Sequence, residues 1–348
     1  MKIALIARRP CIRLAKQAYA LFLQGHDVYL VSQDDGMKEL DCFSLVINAP
    51  NAKHIEEAVK FLKKEVDLFV VHNEPTWPVA IVKNAAPEKK VILDYHDSIY
   101  WYMDIGAEKG GINEDVSWYE EDYCVALADG FTVGSEASRD ELRMRTDKPI
   151  AVVPPACLRN DFRYQPLNFV GGLAVQGGHS VPGNYTRVME HWRDYTKLYT
   201  FLKGKCHVFV YSPAVMFDPE CPMDKHYKNL VTGMTKVPYA DLLNRLGEHT
   251  WNLVGNWIYH QVWKYSAPNK FYDAIAAGVP SIVFNIKSVT DIIKEEGFGI
   301  VVEHPQEILD RWDEQKKCRA ELIKKREKYC MDNFIGRAVD LYTEVLRG

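Results

Sequence analysis

The regular alternation of short β-branched runs with helical stretches constrains the fold of this sequence more than any other feature. Strands are predicted over residues 3–7, 26–31 and 67–71, and helices over 13–24 and 55–64. The run at 67–71 is apolar throughout, as is typical of a strand buried on both faces of a parallel sheet. The other elements of this series are strands over 91–95, 131–133 and 150–153 and helices over 116–128 and 136–144. The pattern predicts an α/β fold built from parallel βαβ units.

Two prolines, Pro154 and Pro155, interrupt this alternation, and a second series follows them. Its predicted strands cover 168–172, 208–211 and 281–284, and its predicted helices cover 188–202, 239–246, 269–277 and 289–294. A chain of 348 residues, 47% of them hydrophobic, can bury two cores. We therefore predict two domains, residues 1–160 and 161–348, with a helix-rich C-terminal tail that crosses back to the first domain.

Composition narrows the classes of function. The formal net charge of -4 excludes a global basic field for nucleic acid or anionic membrane, although a local basic patch stays open. The eight cysteines form no C-x-x-C pair, which indicates reduced thiols. No apolar run approaches the roughly 20 residues that cross a bilayer, and the start lacks a signal-peptide pattern. We expect a cytoplasmic protein without a transmembrane segment, whose membrane contact, if any, is peripheral.

One short predicted helix, 269–277, carries the strongest chemical signal. Ser266 is a candidate cap at its start, and Gly278 ends it. Its free backbone N–H groups and positive dipole end, with Lys270 beside them, suit a diphosphate without a metal ion. Asp273 lies about one turn further on, where a carboxylate can accept hydrogen bonds from ribose hydroxyls. The alternative is an ordinary core helix of an α/β domain.

The same segment has the order lysine, apolar pair, acid, and small-residue helix ending in glycine, a variable residue and proline, at Lys270, Asp273, Gly278 and Pro280. Further matching segments lie at 25–28, 94–97, 128–136, 152–156, 169–173, 233–239 and 297–302. With these motifs the chain resembles, over nearly its whole length, the retaining GT-B glycosyltransferases often called family four. The resemblance implies two Rossmann-like domains facing a central cleft. It implies that the first domain binds the acceptor and the second binds a nucleoside-diphosphate sugar.

The resemblance also implies roles for single residues. The expected catalytic residues are His96, Lys270 and Asp273. The expected donor-binding residues are Gly172, Val237, Ser266, Asn269, Lys270 and Asp273. The expected acceptor-binding residues are Arg8, Arg9, Asp97 and Tyr100. The family commonly neutralises the diphosphate with an arginine and a lysine where this chain has Leu173 and a long insertion, so Arg187 or Arg193 is expected to replace them. Tyr265 stands where the family usually has an acid that contacts the donor sugar.

Structural roles remain open for several of these residues. His96 can be a hydrogen-bonded structural histidine, and Asp97 can be a helix cap. Arg8 and Arg9, together with nearby Arg13, can form a solvated face, and the ring of Tyr100 can serve packing. The stretch 94–97 also suggests a metal site, but a helix terminus that binds the diphosphate makes a divalent ion unnecessary. We therefore expect no metal and no cofactor other than the nucleotide sugar as co-substrate.

The expected reaction moves a sugar from a nucleoside diphosphate to a hydroxyl acceptor. The resemblance implies retention at the anomeric carbon, and we favour front-face departure with the leaving diphosphate as base. The sequence leaves the acceptor open among a glycan, a lipid-linked intermediate, a small molecule and a modified nucleobase. Two alternatives are a sugar-nucleotide epimerase and a catalytically inactive GT-B-like binding subunit. A dinucleotide-dependent oxidoreductase is disfavoured because no G-x-G-x-x-G follows the first strand.

Overall fold

The structure of the protein, a computed structural model, describes most of the chain. The described residues are 1–34, 40–72, 75–98, 100–101, 118–163, 169–180, 193–212, 222–284 and 286–348. The chain divides into two compact units, one of Met1–Leu158 with Met331–Gly348 and one of Arg159–Cys330. Each unit contains one parallel sheet, with seven strands in the first and six in the second. The predicted α/β class is therefore confirmed.

The strands of the first unit are β1 Lys2–Ala7, β2 Asp27–Ser32, β3 Leu45–Asn48, β4 Leu68–His72, β5 Lys90–Tyr95, β6 Gly130–Val133 and β7 Ile150–Val152. They lie in the order β3-β2-β1-β4-β5-β6-β7 and follow the predicted βαβ alternation, except that β3 was not predicted. Its helices are α1 Ile12–Leu23, α2 Ala52–Leu62, α3 Pro78–Ala85, α4 Trp118–Leu127, α5 Glu136–Arg143 and the C-terminal α14 Ile335–Arg347. Every residue of β4 is buried, as its continuous apolar run predicts.

The C-terminal helix α14 packs on the first sheet, beside β5, β6 and β7, so the expected return of the tail is confirmed. Its buried residues recur at helical spacing, at Ile335, Ala338, Leu341, Tyr342 and Val345. Gly130 of β6 allows the close approach, because a Cβ there would lie 3.0 Å from Cγ2 of Val345. The missing side chain therefore lets α14 cover this part of the sheet.

The strands of the second unit are β8 Leu173–Gln176, β9 Val208–Ser212, β10 Gly233–Lys236, β11 Trp251–Val254, β12 Ser281–Val283 and β13 Gly299–Val301. They lie in the order β10-β9-β8-β11-β12-β13. Its helices are α6 Thr196–Leu202, α7 Pro222–Tyr227, α8 Tyr239–Gly247, α9 Val262–Tyr265, α10 Asn269–Ala277, α11 Lys287–Glu296, α12 Pro305–Asp310 and α13 Gln315–Lys325. Within the described ranges, neither unit has a helix long and apolar enough to span a membrane.

One prediction about the start of the second unit was wrong, and one central strand was missed. The strand expected over 168–172 lies one segment later, as β8, because the apolar run Leu173–Gln176 enters the sheet between β9 and β11. The central strand β11 was not predicted at all, since Trp251–Val254 is a run of only four residues. The helix expected over 188–202 has α6 as its described part, and 181–192 lie outside the described residues.

Candidate functional site

The carboxyl edge of the second sheet carries a glycine turn. Strand β8 ends at Gln176, and Gly177 follows with φ +100, a conformation that side chains rarely adopt. Gly177 N–H donates to Tyr211 O, but the N–H groups of Gly178 and His179 donate to no acceptor among the described residues. Open parallel sheets bind ligands at this edge. Two adjacent free N–H groups there make the turn a candidate anion site.

Two cationic side chains lie beside this turn. A Cβ on Gly177 would stand 3.5 Å from Lys270 Nζ, and a Cβ on Gly178 would stand 3.2 Å from Arg193 Nη1. Lys270 Nζ also donates to Tyr195 Oη, 3.4 Å away. Lysine and arginine are the residues that bind phosphate oxygens, the first as a point charge and the second as a planar fork. The turn, its N–H groups and the two cations together fit a diphosphate.

Helix α10 has the predicted bounds and the predicted end. Gly278 adopts φ +73 and closes the helix through its N–H bonds to the carbonyl groups of Ala274 and Ile275. The backbone carbonyl of Lys270 accepts hydrogen bonds from Gln176 Nε2 at 2.9 Å and Asn252 Nδ2 at 3.2 Å. These bonds fix the first turn of α10 to β8 and β11. The helix start is therefore held next to the glycine turn.

The start of α10 differs from the prediction in one detail. Ser266 is not its cap, because Ser266 ends the short helix α9 and Pro268 occupies the cap position of α10. Ser266 Oγ and Asn269 Oδ1 are both buried, and neither has a hydrogen-bond partner in the described part of the chain. Buried polar atoms are usually satisfied in folded proteins. These two atoms at a helix N-terminus therefore suit a bound ligand.

Asp273 lies in α10, and Val237 lies in the short segment between β10 and α8. Asp273 is 2% exposed, and its Oδ1 accepts a hydrogen bond of 2.8 Å from Tyr239 Oη. Tyr239 begins α8 two residues after Val237, so this bond joins α10 to the segment that carries Val237, a predicted donor-binding residue. Val237 lines a cavity of about 480 Å³ whose other lining residues are Thr235, Lys236, Pro238, Asp241, Asn244, Arg245 and Glu248.

One of the predicted donor residues, Gly172, is not brought to this edge. Gly172 precedes β8 and therefore lies at the amino end of the strand, opposite the turn at Gly177. Its φ of +78 and the 2.8 Å from a Cβ to His207 O give it a packing role beside the start of β9. Gly172 is therefore at the wrong end of β8 for the donor-binding role that the resemblance implies. Arg187 lies outside the described residues, whereas its alternative Arg193 stands beside Gly178.

In the first unit, a polar cluster occupies the carboxyl ends of β1, β4 and β5. The register pairs Ala7 with His72 and His72 with Asp94. Asp94 is fully buried and accepts two hydrogen bonds from Arg13, at 2.9 Å and 2.8 Å, and one of 2.9 Å from Thr132 Oγ1. Arg13 is therefore a buried partner of a carboxylate and not part of a solvated face.

Two histidines flank Asp94. His72 Nδ1 lies 2.9 Å and His96 Nδ1 lies 3.5 Å from Asp94 Oδ2. Burial lowers the pKa of His72 despite the nearby carboxylate. Burial also acts to lower the pKa of His96, but hydrogen bonds to Asp94 and Cys11 outweigh it and hold this pKa well above its ordinary value. At neutral pH His96 is thus a cationic donor, whereas His72 is neutral.

The charge of Asp94 follows from its partners. Burial acts to raise the pKa of Asp94, but the Arg13 guanidinium outweighs it and holds this pKa well below its ordinary value. Among the described residues, His72, Asp94 and His96 also bring potential metal-ligand atoms within 4.8 Å of one another. Both Asp94 oxygens already accept from Arg13, whose positive charge opposes a cation. The geometry favours an ion-paired cluster over a metal centre.

The predicted acceptor residues surround this cluster unevenly. Arg8 is half-buried and Arg9 exposed just after β1, and Asp97 Oδ2 lies 3.8 Å from His96 Nε2. Tyr100 donates a hydrogen bond of 2.6 Å to Asp122 Oδ2, and the guanidinium of Arg145 covers its ring at 4.3 Å. The hydroxyl and one face of Tyr100 are thus engaged in structural contacts. His96, Asp97 and Arg8 remain at the carboxyl edge of the first sheet.

Comparisons with known proteins bear on the fold. No protein-family model matches the sequence, and no curated protein matches it either. Among solved structures, AviGT4, a glycosyltransferase involved in avilamycin A biosynthesis, is similar with a TM-score of 0.64, 16% identity and coverage of 100% of this chain and 98% of that one. An alpha-glucosyltransferase in complex with UDP and a 13-mer DNA containing an HMU base gives 0.67, 12% identity and 99% coverage of both chains. The calicheamicin glycosyltransferase CalG4 gives 0.52, 13% identity and coverage of 99% and 98%. The fold of this chain is therefore the GT-B fold of glycosyltransferases.

Proposed function

We propose that the protein is a glycosyltransferase that moves a sugar from a nucleoside diphosphate to a hydroxyl acceptor. One observation carries the proposal: Lys270 and Arg193 both lie against the Gly177–Gly178 turn at the carboxyl edge of the second sheet. In this proposal the second unit binds the donor, with the diphosphate on the turn and on the start of α10. UDP in the structure of the similar alpha-glucosyltransferase supports this class of donor.

The remaining donor contacts follow from the same geometry. Ser266 and Asn269 offer polar atoms at the helix start, and Asp273, oriented by Tyr239, is proposed to accept from the ribose hydroxyls. Val237 is proposed to contact the base. Negative charge develops on the diphosphate as the sugar departs, and fixed cations and N–H groups stabilise that charge most where it grows. Lys270 therefore acts on the leaving group.

The first unit is proposed to bind the acceptor beside His96 and Asp97. Because His96 carries a positive charge, it would repel an oxocarbenium ion, and its proposed role is hydrogen-bond donation to a hydroxyl or an anionic group of the acceptor. Arg8, just after β1, is proposed to contact an acceptor phosphate. The proposed acceptor is a hydroxyl compound, and a hydroxylated base in DNA belongs to the set to be screened.

Retention and independence of a metal ion are part of the proposal. Two cations and a helix N-terminus supply the positive charge that a divalent ion would bring to a diphosphate. The acceptor oxygen is proposed to bond to the anomeric carbon on the face from which the diphosphate leaves, as the bond from that carbon to the phosphate oxygen breaks. The released phosphate oxygen takes the proton of the acceptor hydroxyl, and attack on this face gives retention. Transfer measured with and without a chelator, with the anomeric configuration of the product read by NMR, tests both statements.

The first experiment is a thermal-shift screen against nucleoside diphosphates and their sugars, since a ligand that binds the native state raises the melting temperature. Replacing Lys270 with alanine (K270A) is expected to weaken binding of the active nucleotide by about tenfold to a hundredfold, the value of a charge-assisted contact. The matched control is K264A, which removes an exposed lysine from the adjacent helix α9. The proposal fails if no nucleotide stabilises the protein or if both variants bind equally well.

A further inference from the structure

His179 lies directly behind the glycine turn, in contact with two hydrogen-bonding groups. It is 7% exposed, its Nδ1 lies 3.0 Å from Gly177 O, and its Nε2 lies 2.6 Å from Tyr199 Oη. Tyr199 belongs to α6, which packs in the core of the second unit. A single imidazole thus connects a core helix to the backbone of the turn.

The chemistry of these partners fixes the direction of both hydrogen bonds. A carbonyl oxygen only accepts, so Nδ1 of His179 must carry the proton and donate to Gly177 O. A neutral imidazole then has a lone pair on Nε2, so the Tyr199 hydroxyl donates to it. The two hydrogen bonds thus connect the Tyr199 hydroxyl through the His179 imidazole to Gly177 O. This arrangement requires the imidazole in its neutral form.

The surroundings of His179 enforce that neutral form. Its ring lies 4.6 Å from the ring of Tyr195, 5.8 Å from that of Tyr199 and 5.4 Å from that of Tyr227, centroid to centroid. Burial among these rings lowers the pKa of His179 to about 3, and the nearby charges of Lys270 and Arg193 act in the same direction. The imidazole therefore keeps one tautomer across the pH range of ordinary enzyme chemistry.

A second bond holds the next part of the turn. Tyr227 Oη donates to Ser180 O at 2.6 Å, and Ser180 N–H donates to Arg193 O at 3.1 Å. The carbonyl groups of Gly177 and Ser180 are thus both turned toward aromatic side chains. The N–H groups of Gly178 and His179, which lie between them, have no acceptor among the described residues.

We propose that His179 is a positioning residue for the donor diphosphate, which orients the Gly177–Gly178 turn through its bond to Gly177 O and is itself oriented by Tyr199. This inference rests on the proposed function and adds to it the residue that orients the diphosphate-binding turn. By holding the Gly177 carbonyl toward the core, His179 keeps acceptor oxygens away from the phosphates and presents N–H donors to them. A preorganised donor set loses less affinity to ordering when the ligand binds.

Two amide substitutions distinguish a positioning role of His179 from a role in packing alone. In H179N the amide nitrogen can replace Nδ1–H toward Gly177 O, whereas in H179Q the side-chain amide reaches the Nε2 position and the bond to Gly177 O is lost. The affinity for uridine diphosphate, measured by calorimetry, is expected to fall by about twofold to threefold in H179N and by about tenfold in H179Q. Y199F, which leaves Nε2 without its donor, is expected to lie between them. Circular dichroism melting identifies any variant that fails to fold.

A measurement without nucleotide tests the hydrogen bonds of His179 independently of the proposed function. Nitrogen-15 NMR of labelled wild-type protein is expected to show His179 with Nδ1 protonated, Nε2 unprotonated and no titration between pH 5 and 8. Titration in that range overturns the inference even if nucleotide binds. Equal affinities of folded H179N and H179Q also overturn it, whereas a wild-type protein that shows the tautomer but binds neither uridine diphosphate nor inorganic pyrophosphate contradicts the proposed function instead.

Discussion

Lowering the pH is expected to destabilise the protein through the buried imidazole of His179. Burial lowers the pKa of this residue from its ordinary value of 6.5 to about 3. Between these two values the unfolded chain takes up a proton that the folded chain excludes. Stability from this source is therefore complete above the unfolded pKa and falls as the pH decreases toward the folded pKa.

The magnitude follows from the two pKa values. Between pH 7.5 and pH 5 the unfolded histidine becomes almost fully protonated, while the folded one stays neutral, which lowers the free energy of unfolding by about 2 kcal/mol. At pH 3, where the folded imidazole is itself half protonated, the loss would reach about 4 kcal/mol. A loss of about 2 kcal/mol is large beside the 5–15 kcal/mol that stabilise a typical protein.

Urea unfolding at pH 7.5 and pH 5 measures this loss in wild type and in H179N, which lacks the titrating group. Other acid-sensitive groups, such as buried His72, are present in both proteins and cancel in the comparison. H179N is therefore expected to lose about 2 kcal/mol less between the two pH values than wild type. The control is H207N, which removes an exposed imidazole from the same unit. If H179N and wild type lose equal stability, the argument that burial keeps His179 neutral is wrong.

The remaining predictions concern two contacts of the candidate sites. R13M removes the guanidinium that donates twice to the buried carboxylate of Asp94 and is expected to cost about 3–5 kcal/mol in urea unfolding, because breaking one side of a buried ion pair is expensive. Wild-type stability in R13M would refute the buried ion pair. Y239F removes the hydrogen bond to Asp273 and is expected to cost about 1–3 kcal/mol, with a weaker thermal shift by the active nucleotide. An unchanged shift would separate Asp273 from the donor.

Local signals in the sequence predicted helix α10 well. Gly278 and the helix-forming run before it determine an end that depends on neighbouring residues only, so the predicted bounds coincide with Asn269–Ala277. The start was harder, because Ser266 and Pro268 compete for the cap position and tertiary contacts decide between them. The strand-end histidine His96 was also found from local pattern, since it directly follows β5.

The glycine turn could not be found in the same way. Gly171 and Gly172 precede the apolar run of β8, and Gly177 and Gly178 follow it, so each pair is a possible strand-end turn. The pairing with β9 and β11 shows that Leu173–Gln176 forms the strand. The glycine pair that follows this strand, and not the pair that precedes it, therefore lies at the carboxyl edge. The motif of an apolar run followed by two glycines and a histidine was the available signal.

Contacts between residues distant in the sequence explain why other features of the two sites were not predicted. Arg13 and Asp94 are 81 positions apart, and no local pattern distinguishes a buried arginine from an exposed one beside Arg8 and Arg9. Arg193 approaches Gly178 only after the chain has passed through a long insertion. Such pairings depend on sheet order, which the alternation of strands and helices does not specify.

Arg13 and Lys270 differ in their hydrogen-bond partners, and the difference distinguishes a cation that stabilises the fold from one that is available to a ligand. Two guanidinium nitrogens of Arg13 donate to a buried carboxylate, whereas Lys270 among the described residues bonds only to the hydroxyl of Tyr195. Arg193 is a second positive charge nearby, so removing Lys270 relieves repulsion in the unliganded protein. K270A is therefore expected to change the free energy of unfolding by less than about 1 kcal/mol while abolishing most of the stabilisation by nucleotide. A loss as large as that in R13M would instead assign Lys270 to the fold and leave the glycine turn without its principal anion-binding side chain.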